Sequence, residues 1–164
     1  MSAVRTGVIG AGIMGADHAR ILHRFVSGAE VVLLADPDRD RAVAVAGPIG
    51  CRVVSDPLEL IGDSEVEAVV IASPDATHPN YVRACVAAGK AVLCEKPLAP
   101  SLSASRDLVA ELGAGGDLVS MGFMRRFDPG YTELRAAILD RTMGEPVLLH
   151  SVGRGVSSGP GSTA

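Results

Sequence analysis

Aromatic side chains are scarce in this chain of 164 residues: Phe, Trp and Tyr together make up 3%, and Trp is absent. A folded core must therefore be aliphatic, built from Val, Leu, Ile and Ala. Cysteine is scarce as well. Cys51, Cys85 and Cys94 are odd in number and show no CxxC spacing, so they do not indicate a disulfide framework. We interpret them as small reduced apolar residues, and the sequence predicts no metal site.

The chain also lacks a basic surface and a long apolar run. Its formal net charge is −4 and no block of Lys or Arg occurs, which argues against nucleic acid and membrane surfaces as partners. No apolar run approaches the roughly 18 residues that a membrane-spanning helix needs, and no signal core precedes the first glycines. With 48% apolar and 21% charged residues, the composition is typical of a soluble globular protein, and we expect a cytoplasmic location.

Short apolar segments alternate with helical patterns through the first three quarters of the chain. Strands are predicted at 6–9, 30–36, 51–54, 67–72, 91–94 and 117–121. Helices are predicted at 13–27, 39–46, 80–88 and 103–112. Continuous apolar runs such as "EVVLLAD" are typical of strands covered on both faces, as in parallel sheets. The alternation predicts an α/β fold of the doubly wound, Rossmann type with a mostly parallel sheet.

The pattern changes beyond residue 122, where "GFMRRFDPGYTELRAAILDR" leads into a helix predicted at 129–141 and an apolar run at 147–149. We interpret residues 1–122 as the first domain. Residues 123–150 would be the first helix and strand of a second α/β domain that is truncated. Residues 151–164 are rich in Gly and Ser, and we expect them to form a flexible tail.

Three glycines, Gly10, Gly12 and Gly15, form the pattern GxGxxG between the first predicted strand and helix. The pattern alone is weak in a chain with 19 glycines, where it could mark only a tight turn. In this context it fits a dinucleotide-binding loop. Gly10 permits the turn, Gly12 leaves room for a pyrophosphate, and Gly15 lets the helix lie close to the strand. The helix that starts near Ile13 then points its free N–H groups and positive dipole end at the phosphates.

An acidic residue ends the next predicted strand: Asp36 lies 21 residues after Gly15. A carboxylate at this place can accept hydrogen bonds from both hydroxyls of an adenosine ribose and would repel a 2′-phosphate. Asp36 could also be a helix cap before Pro37, and the two roles are compatible. Together with the glycine loop, Asp36 predicts that the chain binds NAD in preference to NADP.

Two further motifs follow predicted strands, at the edge where doubly wound sheets bind ligands. Ser73 and Pro74 begin the first, "SPDATH", in which His78 either neighbours a helix start or lines the pocket. Lys96 lies in the second, "CEKP", between a glutamate and a proline. A surface lysine is the ordinary alternative. An ammonium at this edge could instead lower the pKa of a substrate hydroxyl and stabilise alkoxide character during hydride loss.

Taken together, the segments GAGIMG, ADPD, SPDATH, AAGKAVLCEKP and MGFMRRFDPGY resemble the Gfo/Idh/MocA oxidoreductases, and most of all the inositol 2-dehydrogenases among them. The resemblance extends from Arg5 to about His150. The spacing of EKP from GxGxxG is quite specific to the superfamily, whereas MRRFDPGY points to the inositol branch. The resemblance implies an NAD-dependent oxidoreductase that oxidises a secondary hydroxyl of a cyclic polyol or sugar to a ketone.

The resemblance also implies roles for individual positions. Lys96 would be the catalytic lysine that bonds the substrate hydroxyl, Arg126 would also face the substrate, and Asp36 would bind the ribose. The other cofactor-binding positions would be Gly10, Gly12, Ile13, Met14, Gly15, Ser73, Pro74, His78, Glu95, Lys96, Met124 and Arg125. For the last two and Arg126, a role as hinge or in salt bridges between domains is equally open.

One part of the family pattern is missing from this chain. The family carries a second domain with an Asp and a His, usually four residues apart, and this His is the acid/base. None of the four histidines here, His18, His23, His78 and His150, follows an Asp at that spacing. We therefore expect a chain that binds NAD(H) and is weakly active or inactive alone. The resemblance further implies a homo-oligomer for the intact family form.

Two alternatives stay open. The chain could be a non-catalytic NAD(H)-binding module or a truncated gene product. Within the enzyme class, another sugar or an aldose could replace inositol, because the residues that select the polyol lie mostly in the second domain.

Overall fold

The fold is a sheet of six parallel strands in the order β3-β2-β1-β4-β5-β6, seen in a computed structural model that describes residues 2–152. The strands are β1 (Val4–Ile9), β2 (Ala29–Ala35), β3 (Arg52–Val54), β4 (Ala68–Ile71), β5 (Ala91–Cys94) and β6 (Val119–Met121). The helices are α1 (Ile13–Phe25), α2 (Arg39–Ala46), α3 (Pro57–Gly62), α4 (His78–Ala87), α5 (Leu102–Leu112) and α6 (Pro129–Leu139). The doubly wound, Rossmann-type α/β fold predicted from the sequence is confirmed.

Alternate residues of the central strands point to opposite faces of the sheet, and both faces are buried. On one face, Val8, Leu34 and Val70 pack with Ala19 of α1 and Ala42 of α2. The opposite face packs against α3, α4 and α5, and its buried members include Ile9, Leu33, Val69, Leu60, Val82 and Leu108. Helices on both faces explain why the strands read as continuous apolar runs in the sequence.

The carboxyl ends of the central strands are level with one another. Ile9 at the end of β1 pairs with Ala35 of β2 and with Ile71 of β4, and Ile71 pairs with Cys94 of β5. The chain leaves β1 towards β2 and later returns to the other side of β1 as β4. The loops that follow β1 and β4 therefore diverge, and a crevice opens at this edge of the sheet.

Helix α3 does not appear among the helices predicted from the sequence. It has only six residues, which is less than two turns and too short to show helical periodicity. The side chain of Asp56 caps it by accepting the N–H of Leu58 at 2.8 Å. Leu60 is fully buried against Gly7, where a Cβ would lie 2.6 Å from the Leu60 Cδ2 atom.

The element boundaries lie within two residues of the prediction, but one predicted strand does not form within residues 2–152. Helix α4 begins at His78 instead of residue 80, because proline is tolerated in a first helical turn. Helix α6 ends at Leu139 instead of residue 141. The strand expected at 147–149 is not formed, and its three side chains are exposed by 97%, 88% and 66%. A strand needs a neighbour to bond its backbone groups, and this run has none within residues 2–152.

The chain divides into two compact units, Met1–Phe123 and Met124–Ala164. The described part of the second unit contains α6, whose first N–H groups are capped by the carboxylate of Asp128. Tyr131 and Leu139 on this helix are 43% and 62% exposed. Most of the tail predicted at 151–164 lies outside the described residues, which end at Val152. Among residues 2–152, no helix combines the length and the apolar character that crossing a bilayer requires.

The three cysteines are free thiols in two different environments. Cys85 and Cys94 are fully buried in the core, whereas Cys51 is half-buried. Burial raises the pKa of the Cys85 and Cys94 thiols to about 12, because a thiolate in apolar surroundings loses its hydration.

Burial also raises the pKa of the Cys51 thiol, but Cys51 is only half-buried. We therefore expect a thiol reagent at about pH 8 to modify Cys51 slowly in the native protein and to leave the inaccessible Cys85 and Cys94 unmodified. Counting modified thiols by mass spectrometry should give one adduct before denaturation and three after it. A Cys51→Ser variant should show no adduct in the native state. Rapid native labelling of Cys85 or Cys94 would contradict the burial of these two thiols.

Candidate functional site

The glycine loop connects the end of β1 to the start of α1. Gly10 has a positive φ of 97°, and its N–H donates to the Ala35 carbonyl at 2.8 Å. A Cβ on Gly10 would lie 2.7 Å from the carbonyl oxygen of Ala72. Glycine is required here both by the backbone conformation and by the close approach of the loop that follows β4.

Gly12 and Gly15 lie in contrasting environments. A Cβ on Gly12 would meet no atom within 4 Å, so the space beside it is open. A Cβ on Gly15 would instead overlap the carbonyl oxygen of Gly10, so only glycine lets α1 pack this close to β1. The three predicted glycine roles thus have distinct physical counterparts: a turn, an open approach and a close helix–strand contact.

The start of α1 is an exposed and uncapped helix terminus. Gly12 is its N-cap residue, and no side chain accepts a hydrogen bond from the first turn. Ile13 is 89% exposed and Met14 is 45% exposed. The first N–H groups of this 13-residue helix therefore face open space beside Gly12, an arrangement that suits a phosphate group.

Asp36 follows β2 and is almost completely buried, with 4% of its side chain accessible. Its carboxylate accepts the N–H of Ala11 at 2.6 Å and the N–H of Asp38 at 2.8 Å, and it pairs with Arg41. Burial by itself would raise the pKa of Asp36. The hydrogen bonds from Arg41, Ala11 and Asp38, together with the Arg41 charge, outweigh burial and hold this pKa below its ordinary value.

The helix cap before Pro37 that the sequence left open for Asp36 is provided by a different residue. Asp38 caps α2 by accepting the N–H of Arg41 at 3.1 Å. The Asp36 carboxylate instead lies beside the glycine loop, bonded to Ala11 between Gly10 and Gly12. The ribose-binding carboxylate and the phosphate-binding loop that the sequence indicates are therefore brought into direct contact.

His78 lies beneath the crevice, with 1% of its surface accessible. Its Nδ1 is 2.7 Å from the Pro97 carbonyl oxygen, and its Nε2 is 2.8 Å from the Ser73 carbonyl oxygen. The ring therefore ties the loop after β4 to the loop after β5. His78 is the first residue of α4, which matches its predicted place beside a helix start, and a role in lining the pocket stays a prediction.

The loop after β4 is stabilised by its own hydroxyl groups. Ser73 Oγ is 2.7 Å from Thr77 Oγ1, and Thr77 Oγ1 also donates to the Pro74 carbonyl at 2.7 Å. Ser73 and Pro74 are thereby fixed at the carboxyl end of β4, and the backbone of Ser73 lies against Gly10 of the glycine loop.

Glu95 and Lys96 begin the loop after β5, and their environments differ. The Glu95 carboxylate has 12% accessibility, lies 2.8 Å from His18 Nε2 and accepts the N–H of Lys96 at 3.3 Å. Lys96 is exposed, and within residues 2–152 no carboxylate lies within salt-bridge distance of its ammonium. The peptide bond from Lys96 to Pro97 is cis. The Glu95 carboxylate thus holds the N–H of Lys96, while the exposed ammonium remains available at the edge of the crevice.

Sequence reasoning missed two residues of this site, His18 and Arg41. His18 lies on α1 and reaches Glu95, which is 77 positions away in the chain, so no sequence motif joins them. Arg41 lies in the first turn of α2, five positions after Asp36, and its proximity could have been inferred from the predicted start of α2. Lys90, in the AAGKAVLCEKP segment, is structural: its buried ammonium donates to the carbonyls of Asp63 and Val66.

Met124, Arg125 and Arg126 belong to the second unit, where they form a short 3-10 turn. Arg125 Nη1 lies 3.1 Å from an Asp128 oxygen, and its guanidinium is 5.3 Å from the centre of the Tyr131 ring. Met124 is 52% exposed. These contacts lie within the unit that begins at Met124.

The residues of the crevice fit a dinucleotide. The open space beside Gly12 and the uncapped start of α1 suit a pyrophosphate, and the Asp36 carboxylate suits ribose hydroxyls. NAD would supply hydride acceptance at its nicotinamide ring when bound.

Comparisons with known proteins agree with this geometry. A family model described as "Oxidoreductase family, NAD-binding Rossmann fold", GFO_IDH_MocA, matches residues 4–123. The chain is 51% identical over 166 residues to inositol 2-dehydrogenase 2 of Paenarthrobacter aurescens. That match covers 98% of this chain and 50% of the relative, so the chain spans about half the length of the curated relatives it matches.

Solved structures give the same fold. A myo-inositol dehydrogenase from Corynebacterium glutamicum superposes with a TM-score of 0.81 and 31% identity, covering 87% of this chain and 43% of that chain. A scyllo-inositol dehydrogenase from Lactobacillus casei, with bound NAD(H) and scyllo-inositol, gives a TM-score of 0.82 over the same shares at 23% identity. At that identity, the second likeness shows the fold alone.

Because Gly15 is crowded and Gly12 is open, alanine should destabilise the protein at Gly15 far more than at Gly12. Gly15→Ala should lower the free energy of unfolding by about 1–3 kcal/mol, because its Cβ would push α1 away from β1. Gly12→Ala should change it by less than about 1 kcal/mol, because its Cβ would enter open space. Urea unfolding followed by circular dichroism measures both values. Equal destabilisation by the two substitutions would contradict the close helix–strand contact at Gly15.

Proposed function

The chain belongs to the Gfo/Idh/MocA oxidoreductase family with an NAD-binding Rossmann fold, and from this premise we propose that it supplies the cofactor-binding half of an inositol 2-dehydrogenase-type enzyme. The reaction is the oxidation of a secondary hydroxyl of a cyclic polyol or sugar to a ketone. One hydride leaves the carbon for the cofactor, and one proton leaves the hydroxyl. We place this activity in the cytoplasm, and in a homo-oligomer for the intact form.

The observation that carries the proposal is the position of Lys96 relative to the cofactor loop. Lys96 lies in the loop after β5, whose end is level with the ends of β4 and β1. The glycine loop follows β1 and Asp36 follows β2, so the predicted cofactor and the lysine share one edge of the sheet. The identity of 51% to an inositol 2-dehydrogenase supports a polyol as the substrate class.

In the proposed reaction, the Lys96 ammonium donates a hydrogen bond to the oxygen of the reacting hydroxyl. A positive charge at this oxygen stabilises the alkoxide character that develops as the hydride leaves the carbon. Glu95 and His78 are positioning residues in this scheme. Glu95 bonds the N–H of Lys96, and His78 bonds the carbonyl of the following Pro97.

Among residues 2–152, the two histidines that contact the loops around Lys96 are already engaged with other groups. His18 is engaged with Glu95, and both ring nitrogens of the buried His78 face carbonyl oxygens. Neither ring is therefore free to take a proton from a substrate at Lys96. We propose that the 164-residue chain binds NAD(H) but turns over substrate slowly or not at all.

A second candidate function is a non-catalytic NAD(H)-binding module. The contacts of His18 with Glu95 and of His78 with the Pro97 carbonyl favour it, because they leave neither ring available as a base and a binding module needs none. Within the enzyme class, another sugar or an aldose is an alternative substrate. Assays with inositols, sugars and aldoses alongside NADH binding distinguish these candidates, because the module binds NADH and oxidises none of them.

Cofactor binding should depend on the open space beside Gly12. Gly12→Val should weaken NADH binding about 10–100-fold, because its side chain would fill the place of the pyrophosphate and block charge-assisted bonds from the start of α1. The enhancement of NADH fluorescence on binding measures the affinity. Gly28→Val is the matched control, because Gly28 is equally open but lies in the turn between α1 and β2. Unchanged NADH affinity in Gly12→Val would argue against a pyrophosphate at this loop.

Turnover should be weak and should require Lys96. Reduction of NAD with myo-inositol should be at least about 10²-fold slower for this chain than for a full-length relative, because a general base typically contributes 10²–10⁴-fold. Lys96→Met should abolish what remains, whereas Arg106→Met, an exposed substitution on α5, should leave it unchanged. Robust myo-inositol oxidation by the purified chain would contradict the inference that its histidines do not accept the substrate proton.

A further inference from the structure

The carboxylate of Asp36 is saturated by donors that belong to the protein itself. Oδ2 accepts the N–H of Ala11 at 2.6 Å, and Oδ1 accepts the N–H of Asp38 at 2.8 Å. The Arg41 guanidinium donates the other two hydrogen bonds, from Nη2 to Oδ1 at 2.7 Å and from Nε to Oδ2 at 3.4 Å. A carboxylate offers about four acceptor positions, so a further donor must replace one already present.

An adenosine ribose brings two hydroxyl donors to this carboxylate, so its binding requires an exchange of hydrogen bonds. The bonds from Ala11 and Asp38 are made by backbone N–H groups in the loops after β1 and β2, which the fold holds in place. The bonds from Arg41 are made by a long side chain that is 49% accessible. The Arg41 guanidinium is therefore the group that the ribose displaces.

We propose that Arg41 sets the preference of this domain between NAD and NADP, an inference that rests on the cofactor site proposed above. In the free protein its guanidinium occupies the place of the ribose hydroxyls. After displacement it stays tethered to the first turn of α2, one side-chain length from Asp36. A 2′-phosphate attached to that ribose would lie within reach of this cation.

The local charges give the direction of the effect. Asp36 and Asp38 both face Arg41, with Asp38 Oδ2 3.5 Å from Nη1. Without Arg41, two carboxylates would meet a 2′-phosphate that carries a charge of roughly −1.5 to −2. Arg41 thus offsets part of the repulsion that disfavours NADP, and at the same time it competes with the ribose of NAD. Both effects lower the affinity for NAD relative to the affinity for NADP.

The test compares NADH and NADPH affinities by fluorescence titration for four variants. Arg41→Gln should raise the ratio of NADH to NADPH affinity about tenfold, because a charge-assisted bond to the phosphate is lost and the competitor for the ribose is removed. Asp36→Ser should raise NADPH affinity about tenfold, because it removes the repulsion and frees Arg41. The double variant Asp36→Ser/Arg41→Gln should lose that gain. Arg39→Gln removes the same charge from the same helix and should leave the ratio within about twofold.

The outcomes separate this proposal from the function on which it rests. Absence of NADH binding by the unmodified chain would overturn the cofactor site itself. If NADH binds, an unchanged ratio in Arg41→Gln overturns the role of Arg41, as does NADPH binding by the double variant that equals that of Asp36→Ser. Equal weakening of both cofactors in Arg41→Gln would also overturn it, because a purely structural role affects both alike. Thermal unfolding of each variant accompanies the titrations and identifies any variant that is not folded.

Discussion

The close approach of α1 to β1 is the contact on which the rest of the site depends. It is possible only because Gly15 has no side chain to overlap the carbonyl of Gly10. The approach places the start of α1 directly over the turn that follows β1. It also brings His18, one turn further along the same helix, to the Glu95 carboxylate at the end of β5. A single helix–strand contact therefore arranges both the uncapped start of α1 and the contact of His18 with the loop that carries Lys96 after β5 (residues 95–97), here called the lysine loop.

The lysine loop is held from two sides by histidines. His18 bonds Glu95 just before Lys96, and His78 bonds Pro97 just after it. Within residues 2–152, no buried side-chain nitrogen or oxygen lacks a hydrogen-bond partner. Lys96 thus projects from a loop whose neighbouring side chains are hydrogen-bonded, and such a network leaves few alternative arrangements for the loop.

The parts of the structure that follow from local patterns were predictable from the sequence. Continuous apolar runs gave the parallel sheet, and the spacing of Gly10, Gly12 and Asp36 gave the cofactor edge. The contacts of His18 and Arg41 were not predicted, because hydrogen bonds depend on side-chain placement in three dimensions. Helix α3 was missed because six residues are too few to show a period. The run at 147–149 has strand composition, but strand formation depends on a neighbour that no local pattern supplies.

The strand order also has a consequence for the order of events during synthesis. β1 emerges first from the ribosome and can pair with β2 soon afterwards, but its other neighbour, β4, begins only at Ala68. Non-local parallel pairing of this kind is slow, and an unpaired strand edge is exposed until it is complete. The turn at Gly10 packs against the backbone of Ala72, which directly follows β4. The glycine loop therefore reaches its final shape only after about 60 further residues have been synthesised.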